Sequence, residues 1–158
     1  MSTLTQPTPT ARPRTARRFG YVIGALINAA LLVAVNGWPG WEAVPFLTAG
    51  FEQVLGLVNL SLAIGIVTNL ANAAFDTHGV KALGDLATNV IGFAVSIRML
   101  QVFPFDFSGG GIDWTLIVRI LLVLGVVGSL FGAGAAVVRL LRGPRPPATA
   151  AGAGSASG

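Results

Sequence analysis

Four long apolar stretches, separated by short polar or turn-forming segments, dominate the sequence. They predict membrane-spanning helices over residues 19–36, 46–75, 80–102 and 114–141. At about 1.5 Å per residue, each stretch is long enough to cross a hydrocarbon core about 30 Å thick, and the longer ones cross with tilt. The expected fold is an all-α, integral membrane four-helix transmembrane bundle over residues 19–142, in which neighbouring helices are antiparallel.

The segments outside these stretches have the composition of turns and tails. Residues 36–41, 76–79 and 103–113 all contain glycine, together with proline, asparagine or aspartate, which is typical of connections between helices. Residues 1–18 form a basic N-terminal tail, and residues 143–158 are mainly Pro, Ala, Gly and Ser. Neither tail has enough apolar residues to build a core, so we expect both to be disordered.

The overall composition indicates a membrane protein. The 158 residues are 53% hydrophobic and 10% charged, whereas about 25% of the residues of an average soluble domain are charged. A short water-soluble chain cannot bury that much apolar surface, so the excess must face lipid. The formal net charge is +4, but the basic residues concentrate in the tails. This distribution favours anionic lipid headgroups over nucleic acid as their partner.

Apart from Arg98 and Arg119, the basic residues lie in the tails or at the ends of the predicted spans, all on one side of the bundle. The loops on the other side contain Glu42, Asp106 and Asp113 but no lysine or arginine. Because basic residues beside membrane spans are retained in the cytoplasm, we expect both termini to be cytoplasmic. The residues on that side are Arg12, Arg14, Arg17, Arg18, Lys81, Arg139, Arg142 and Arg145.

The N-terminal region must be distinguished from a cleaved signal. Arg17 and Arg18 before an apolar run also occur in secretory and twin-arginine signals. The run is long, no small-x-small pair ends it, and the twin-arginine spacing is absent, so we expect an uncleaved helix. Four short spans with an arginine-rich tail and a Pro/Ala/Gly-rich tail resemble small membrane proteins of high-GC bacteria. This resemblance implies a location in the bacterial inner membrane.

Three charged residues fall inside the predicted spans near the non-cytoplasmic surface. Glu52 lies early in the second helix, Arg98 late in the third and Arg119 early in the fourth. Charges are costly in lipid, so we expect Glu52 to pair with one arginine while the other reaches toward the headgroups. We interpret this layer as a structural clamp, with ion or proton coupling by Glu52 as the alternative.

Polar and small residues also follow faces of the second and third helices at helical spacing. We expect the second helix to bond to the third through such faces, as an antiparallel hairpin, with Lys81 as the partner of Asp85. One face of the second helix carries Glu52, Gly56, Asn59 and Ala63. The expected zipper consists of Ser61, Gly65, Thr68, Asn69 and Asn72 on the second helix and Asp85, Thr88, Asn89, Gly92 and Ser96 on the third.

Small residues line the first and fourth helices. Gly20, Gly24 and Asn28 fall at four-residue intervals on the first helix. Such small-xxx-small surfaces let helices approach closely or dimerise. We therefore expect helix contacts at these surfaces, which are also suited to a homo-oligomer or to another membrane protein. The matching residues of the fourth helix are Gly125, Gly128, Ser129, Gly132 and Ala136.

No pattern of catalytic, cofactor-binding or metal-ligating residues occurs in the sequence. The chain has no cysteine, and His78 is its only histidine, which excludes thiol chemistry and paired-histidine ligation. The glycines at 109–111 follow no predicted strand and do not indicate a phosphate-binding loop. We expect a non-enzymatic interaction or accessory component of a membrane assembly, without a cofactor. The alternative is a small oligomeric transporter or channel in which Glu52 or Asp85 couples ions or protons.

Overall fold

A computed structural model describes residues 14–108 and 113–143, and this part of the chain is all-helical. Its long helices are α1 (Arg14–Asn36), α2 (Glu52–Phe75), α3 (His78–Val102) and α4 (Trp114–Arg142). Each is long and apolar enough to cross a membrane, which confirms the prediction of four such helices. Apart from residues 14–18 and 143, the tails predicted to be disordered lie outside the described residues, as do the glycines at 109–111.

Two helices begin at residues well away from the predicted ones. α1 begins at Arg14 and not at Phe19, because no proline or glycine between them interrupts a helix. α2 begins at Glu52 and not at Phe46. The residues that precede it are held in another conformation by the α3–α4 connection: Thr48 N–H donates to Pro104 O at 3.0 Å, and Phe46 O accepts from Asp106 N–H at 2.9 Å.

Side-chain caps set the starts of α3 and α4. Thr77 Oγ1 accepts a hydrogen bond from the backbone N–H of Val80 at 3.4 Å, so α3 begins at His78 and not at Val80 as predicted. Asp113 Oδ1 accepts from Leu116 N–H at 2.9 Å. Each cap satisfies one of the backbone donors that a helix leaves unpaired in its first turn.

The connection between α2 and α3 consists of Asp76 and Thr77 alone. Asp76 ends α2 in the left-handed conformation, with φ of 41°, and its N–H donates to Asn72 O at 3.1 Å. Aspartate tolerates this conformation better than most residues, because its short polar side chain bonds locally. A turn this short makes α2 and α3 antiparallel neighbours.

Helix packing follows chain order: α1 packs against α2, α2 against α3, and α3 against α4. Within the described residues, α1 and α4 each make a comparable contact with only that one long helix. The molecule has two ends. The turn end holds the α2–α3 turn, the start of α1 and the end of α4, whereas the loop end holds residues 37–51 and 103–108.

Two reciprocal glycine–asparagine contacts join α1 to α2. A Cβ at Gly24 would lie 2.9 Å from Asn69 Oδ1, and a Cβ at Gly65 would lie 2.8 Å from Asn28 Oδ1. Each amide also donates to its own helix, Asn28 Nδ2 to Gly24 O and Asn69 Nδ2 to Gly65 O, both at 2.8 Å. The backbones approach this closely because glycine has no side chain. The two Gly-x-x-x-Asn sequences therefore fix the register of α1 against α2.

The contact between α3 and α4 is built in the same way. Its pairs are Asn89 with Gly132, Gly92 with Ser129, and Ser96 with Gly125. The polar face of α3 thus packs against α4, which corrects the expectation that it forms a zipper with α2. The close α2–α3 contact is the methyl group of Thr68 against Gly84. Helical spacing places residues on one face but does not say which neighbour covers that face.

The helix surfaces turned away from these contacts are apolar and exposed. On α4, Leu121 is 60% exposed and Phe131 is 76% exposed. Buried apolar side chains are few, among them Val54, Ala82 and Ala136. An apolar exterior around small and polar helix contacts is the arrangement expected of helices that are solvated by lipid.

The four glycines expected at helix contacts divide into two matched pairs, which provide a test of the packing. Gly24 and Gly132 lie against asparagines, whereas Gly20 and Gly128, one turn away on the same helices, have open space within 4 Å of the point that a Cβ would occupy. We expect Gly24→Leu and Gly132→Leu each to lower the free energy of unfolding by about 1–3 kcal/mol through overpacking. Gly20→Leu and Gly128→Leu should change it by less than about 0.5 kcal/mol. Denaturant unfolding in detergent measures all four. Equal losses for Gly24→Leu and Gly20→Leu, or for Gly132→Leu and Gly128→Leu, would contradict the packing.

Candidate functional site

A polar cleft between α1, α2 and α3 is the main candidate site. It has a volume of about 510 Å³, and most of its lining side chains are only partly buried. Along α2 it extends from Asn72 near the turn end to Ser61, roughly 16 Å at 1.5 Å per residue. We call it the amide cleft. Its lining comprises Tyr21, Asn28, Ser61, Gly65, Thr68, Asn69, Asn72, Asp85, Thr88, Asn89, Ile91 and Gly92.

The asparagines of the cleft hold their amides in a common way. Asn28, Asn69 and Asn89 each donate Nδ2 to the carbonyl four residues earlier, and the Asn89 bond, to Asp85 O, is 2.6 Å long. The amide N–H donor of each asparagine, which would raise the free energy if it were left unpaired in lipid, is thereby satisfied within its own helix. Their Oδ1 atoms face the glycines of neighbouring helices.

Asn72 differs from the other asparagines of the cleft. Its side chain is 5% exposed, and the buried Oδ1 has no hydrogen-bond partner within the described residues. A buried polar atom that is left unpaired typically costs about 1–3 kcal/mol. Asn72 is therefore a predicted polar residue that is buried and whose acceptor the fold does not use.

Asp85 lines the cleft and forms an ion pair with α4. Its Oδ2 lies 2.8 Å from Arg139 Nη1, and the two side chains are 42% and 45% exposed. The expectation that Lys81 is its partner is wrong, because Lys81 bonds to Asp76 instead. The sequence indicates only the cation one turn away on the same helix, whereas the α3–α4 register brings Arg139 opposite Asp85.

Asp76 holds together three elements at the turn end. Its Oδ2 lies 3.0 Å from Arg17 Nη2, and its Oδ1 lies 2.6 Å from Lys81 Nζ. The hydrogen bond from Lys81 lowers the pKa of Asp76 below its ordinary 3.8, and Arg17 adds to this lowering against the opposing effect of desolvation. Lys81 also lies 5.5 Å from the ring centroid of Tyr21. This cluster ties α1 to the α2–α3 turn. The signal in the sequence is a single acidic residue in a turn on the side of the bundle that carries the basic residues.

The three charges near the loop end do not form the expected clamp. Glu52 is exposed at the start of α2 and forms no ion pair within the part of the chain that the structure describes. Arg98 donates weakly to Gln53 Oε1 at 3.5 Å and to Gln101 Oε1 at 3.4 Å. The partial positive charge at the N-terminus of α2 stabilises the Glu52 carboxylate, so this carboxylate does not need a basic partner.

Arg119 and Asn59 also have partners that the sequence did not indicate. The guanidinium of Arg119 lies 4.7 Å from the ring centroid of Phe103, a cation–π arrangement. Asn59 and Asn36 form a reciprocal amide pair, in which each Nδ2 donates to the other Oδ1 at 2.7 Å. The pair joins α2 to the end of α1. Asn59 is therefore part of a helix contact and not of the amide cleft.

Aromatic residues form a second, apolar cavity at the loop end. Phe105 stacks on Phe107 with centroids 5.9 Å apart, and Phe107 stacks on Phe46 at 5.7 Å. With Trp114 and Val118 these rings line a cavity of about 460 Å³. Aromatic residues at the end of a spanning helix are typical of a membrane interface.

Within residues 14–108 and 113–143, no group of three or more His, Asp or Glu side chains is placed to hold a metal ion.

The comparisons with known proteins find no match: no protein-family model, no curated protein and no solved structure is significantly similar to this chain. The candidate site is therefore interpreted from its own geometry.

The Asp76 cluster generates a prediction about pH. Because the pKa of Asp76 is lowered in the folded state, its charge stabilises the fold above pH 3.8, and this contribution is lost as the pH falls from there through the lowered pKa. We expect Asp76→Asn, which retains the left-handed backbone preference, to lower the melting temperature at pH 7. The difference from the unaltered chain should shrink only below about pH 4.

Thermal unfolding in detergent from neutral to acidic pH measures this difference. Glu42→Gln is the control, because Glu42 is exposed and has no ion pair among the described residues. A difference that already vanishes near neutral pH, or one that Glu42→Gln reproduces, would show that the charge of Asp76 does not hold these elements together.

Proposed function

We propose that this chain is a non-enzymatic component of a membrane assembly, located in a bacterial inner membrane with both termini in the cytoplasm. The exposed apolar surface of the four helices supports insertion into lipid. At the turn end lie Arg17, Arg18, Lys81, Arg139 and Arg142. The loop-end connections carry acidic residues and no lysine or arginine, and this asymmetry favours a cytoplasmic turn end.

The observation that carries the interaction role is the incomplete packing of the terminal helices. Within the described residues, α1 and α4 each have only one long helix as a close neighbour. Both carry a glycine that faces open space, Gly20 on α1 and Gly128 on α4. Small residues on an exposed face allow the backbone of another helix to approach closely. Contact with lipid chains does not require such small residues. The surfaces beside Gly20 and Gly128 therefore suit a transmembrane helix of another membrane protein.

Site-specific photo-crosslinking in native membranes tests this role. A benzoylphenylalanine at position 128 should give a discrete protein adduct, whereas one at position 130 should give none, because two residues turn the helix by about 200°. In a chain that carries the crosslinker at position 20, Gly128→Leu should reduce adduct formation if the same partner spans both helices. Gly128→Leu should not impair folding, since nothing contacts that position. Equal adducts at positions 128 and 130, or none at 128, would contradict the proposal.

A second candidate, a small oligomeric transporter, is favoured by one feature, the polar lining of the amide cleft next to Asp85. The cleft extends from the turn end only to the level of Ser61 and Gly92, and Glu52 lies outside it. Flux would therefore require a rearrangement or an oligomer. If the chain transports, proteoliposomes should show proton or cation flux that Asp85→Asn reduces at least about tenfold and Glu52→Gln leaves unchanged. Absence of flux in the unaltered protein would eliminate this candidate.

A further inference from the structure

The amide cleft combines a cavity of ligand size with a polar group that the fold leaves unused. Small-molecule sites usually have volumes of about 300–1,000 Å³ and a few convergent polar groups, and the cleft measures about 510 Å³. Asn72 lines it, is 5% exposed, and has a buried Oδ1 without a partner within the described residues. Because this Oδ1 has almost no accessible surface, a donor in the cleft bonds to it only after the Asn72 amide turns toward the cleft, and the bond then removes the cost of an unpaired buried acceptor.

The bonding capacity of Asn72 defines one edge of the ligand. A primary amide presents a donor and an acceptor side by side, and its complement is a group with an acceptor and a donor at the same spacing. This chain contains an example of such a pairing, the reciprocal bonds between Asn36 and Asn59, both 2.7 Å long. A carboxamide, urea or lactam offers the same edge.

The charges around the cleft favour a neutral ligand. Asp85 is the only formally charged residue in the lining, and Arg139 neutralises it at 2.8 Å. The other polar lining groups are amides and hydroxyls, with the phenol of Tyr21. A net charge brought into this setting would lose hydration without gaining a counter-charge.

We propose that the amide cleft binds a small neutral molecule that presents a carboxamide, urea or lactam edge, and that Asn72 recognises this edge. The site is built within α1, α2 and α3, so it does not depend on the membrane partner proposed above. Failure of either proposal leaves the other standing, because one is tested with purified protein and the other in native membranes.

The absence of cysteine from the chain permits a direct test with a single reporter thiol. Thr88→Cys places the thiol in the lining of the cleft, and Ala87→Cys places one on the exposed neighbouring position outside it. The rate of alkylation by iodoacetamide is measured on purified protein in detergent, by mass spectrometry. Acetamide is the competing probe, and acetone, which has a similar size but no N–H donor, is its matched control. A fragment of this size binds weakly, so the titration extends to high millimolar concentrations.

Acetamide should slow alkylation of Thr88→Cys in a saturable manner, acetone should not, and Ala87→Cys should react equally fast with or without acetamide. Adding Asn72→Ala to Thr88→Cys should raise the acetamide concentration for half-protection roughly tenfold, which corresponds to the loss of one or two neutral hydrogen bonds. Asn59→Ala, which removes an amide outside the cleft, should leave that concentration unchanged.

Three results would overturn the proposal: no protection by acetamide, equal protection by acetone, or protection unaffected by Asn72→Ala in a folded variant. The first would mean that water alone occupies the cleft. Folding of each variant is checked by its melting curve. If Asn72→Ala does not fold, the comparison of acetamide with acetone still decides the matter, because it uses the natural Asn72.

Discussion

The contact on which the rest of the structure depends is the packing of an asparagine amide against the glycine of a neighbouring helix. In lipid there is no water to satisfy an amide, and the hydrophobic effect does not draw helices together. The chain meets both constraints at once, since Asn28 and Asn69 bond to their own helices while their oxygens lie against Gly65 and Gly24. Asn89 and Gly132 repeat the arrangement between α3 and α4. Polar contacts inside and apolar side chains outside are the arrangement that lipid as a solvent requires.

The amide cleft is a consequence of this packing. Because asparagines, threonines and glycines occupy the facing surfaces of α1, α2 and α3, no large apolar side chain fills the space between them toward the turn end. The helices are held around that space by Asp76, which bonds to Arg17 of α1 and Lys81 of α3, and by the Asp85–Arg139 pair. A pre-formed polar space with one unused amide, that of Asn72, is what the fold leaves for function.

Hydropathy predicts the four helices, because an apolar run long enough to cross a bilayer can form few structures other than a helix. It did not predict where α2 begins, since the backbone bonds of Phe46 and Thr48 to the α3–α4 connection are long-range. Helical spacing identifies the polar residues of the site, but it does not identify the residues that they contact. Spacing gives a face and not its neighbour, so it indicates Lys81 on the same helix as the partner of Asp85 and does not indicate Arg139 on α4. The cavity depends on how three helices meet, and no single stretch of sequence encodes that.

The loop-end bonds between the two connections also bear on the order of assembly during synthesis. The backbone groups of Phe46 and Thr48 lie early in the chain, yet their partners belong to Pro104 and Asp106, which emerge from the ribosome only after α3 has been made. The α1–α2 hairpin can therefore form first through its own glycine–asparagine contacts. Its connecting segment, however, reaches its final conformation only when the second hairpin arrives, so a nascent chain truncated before residue 104 would expose unpaired backbone at that surface.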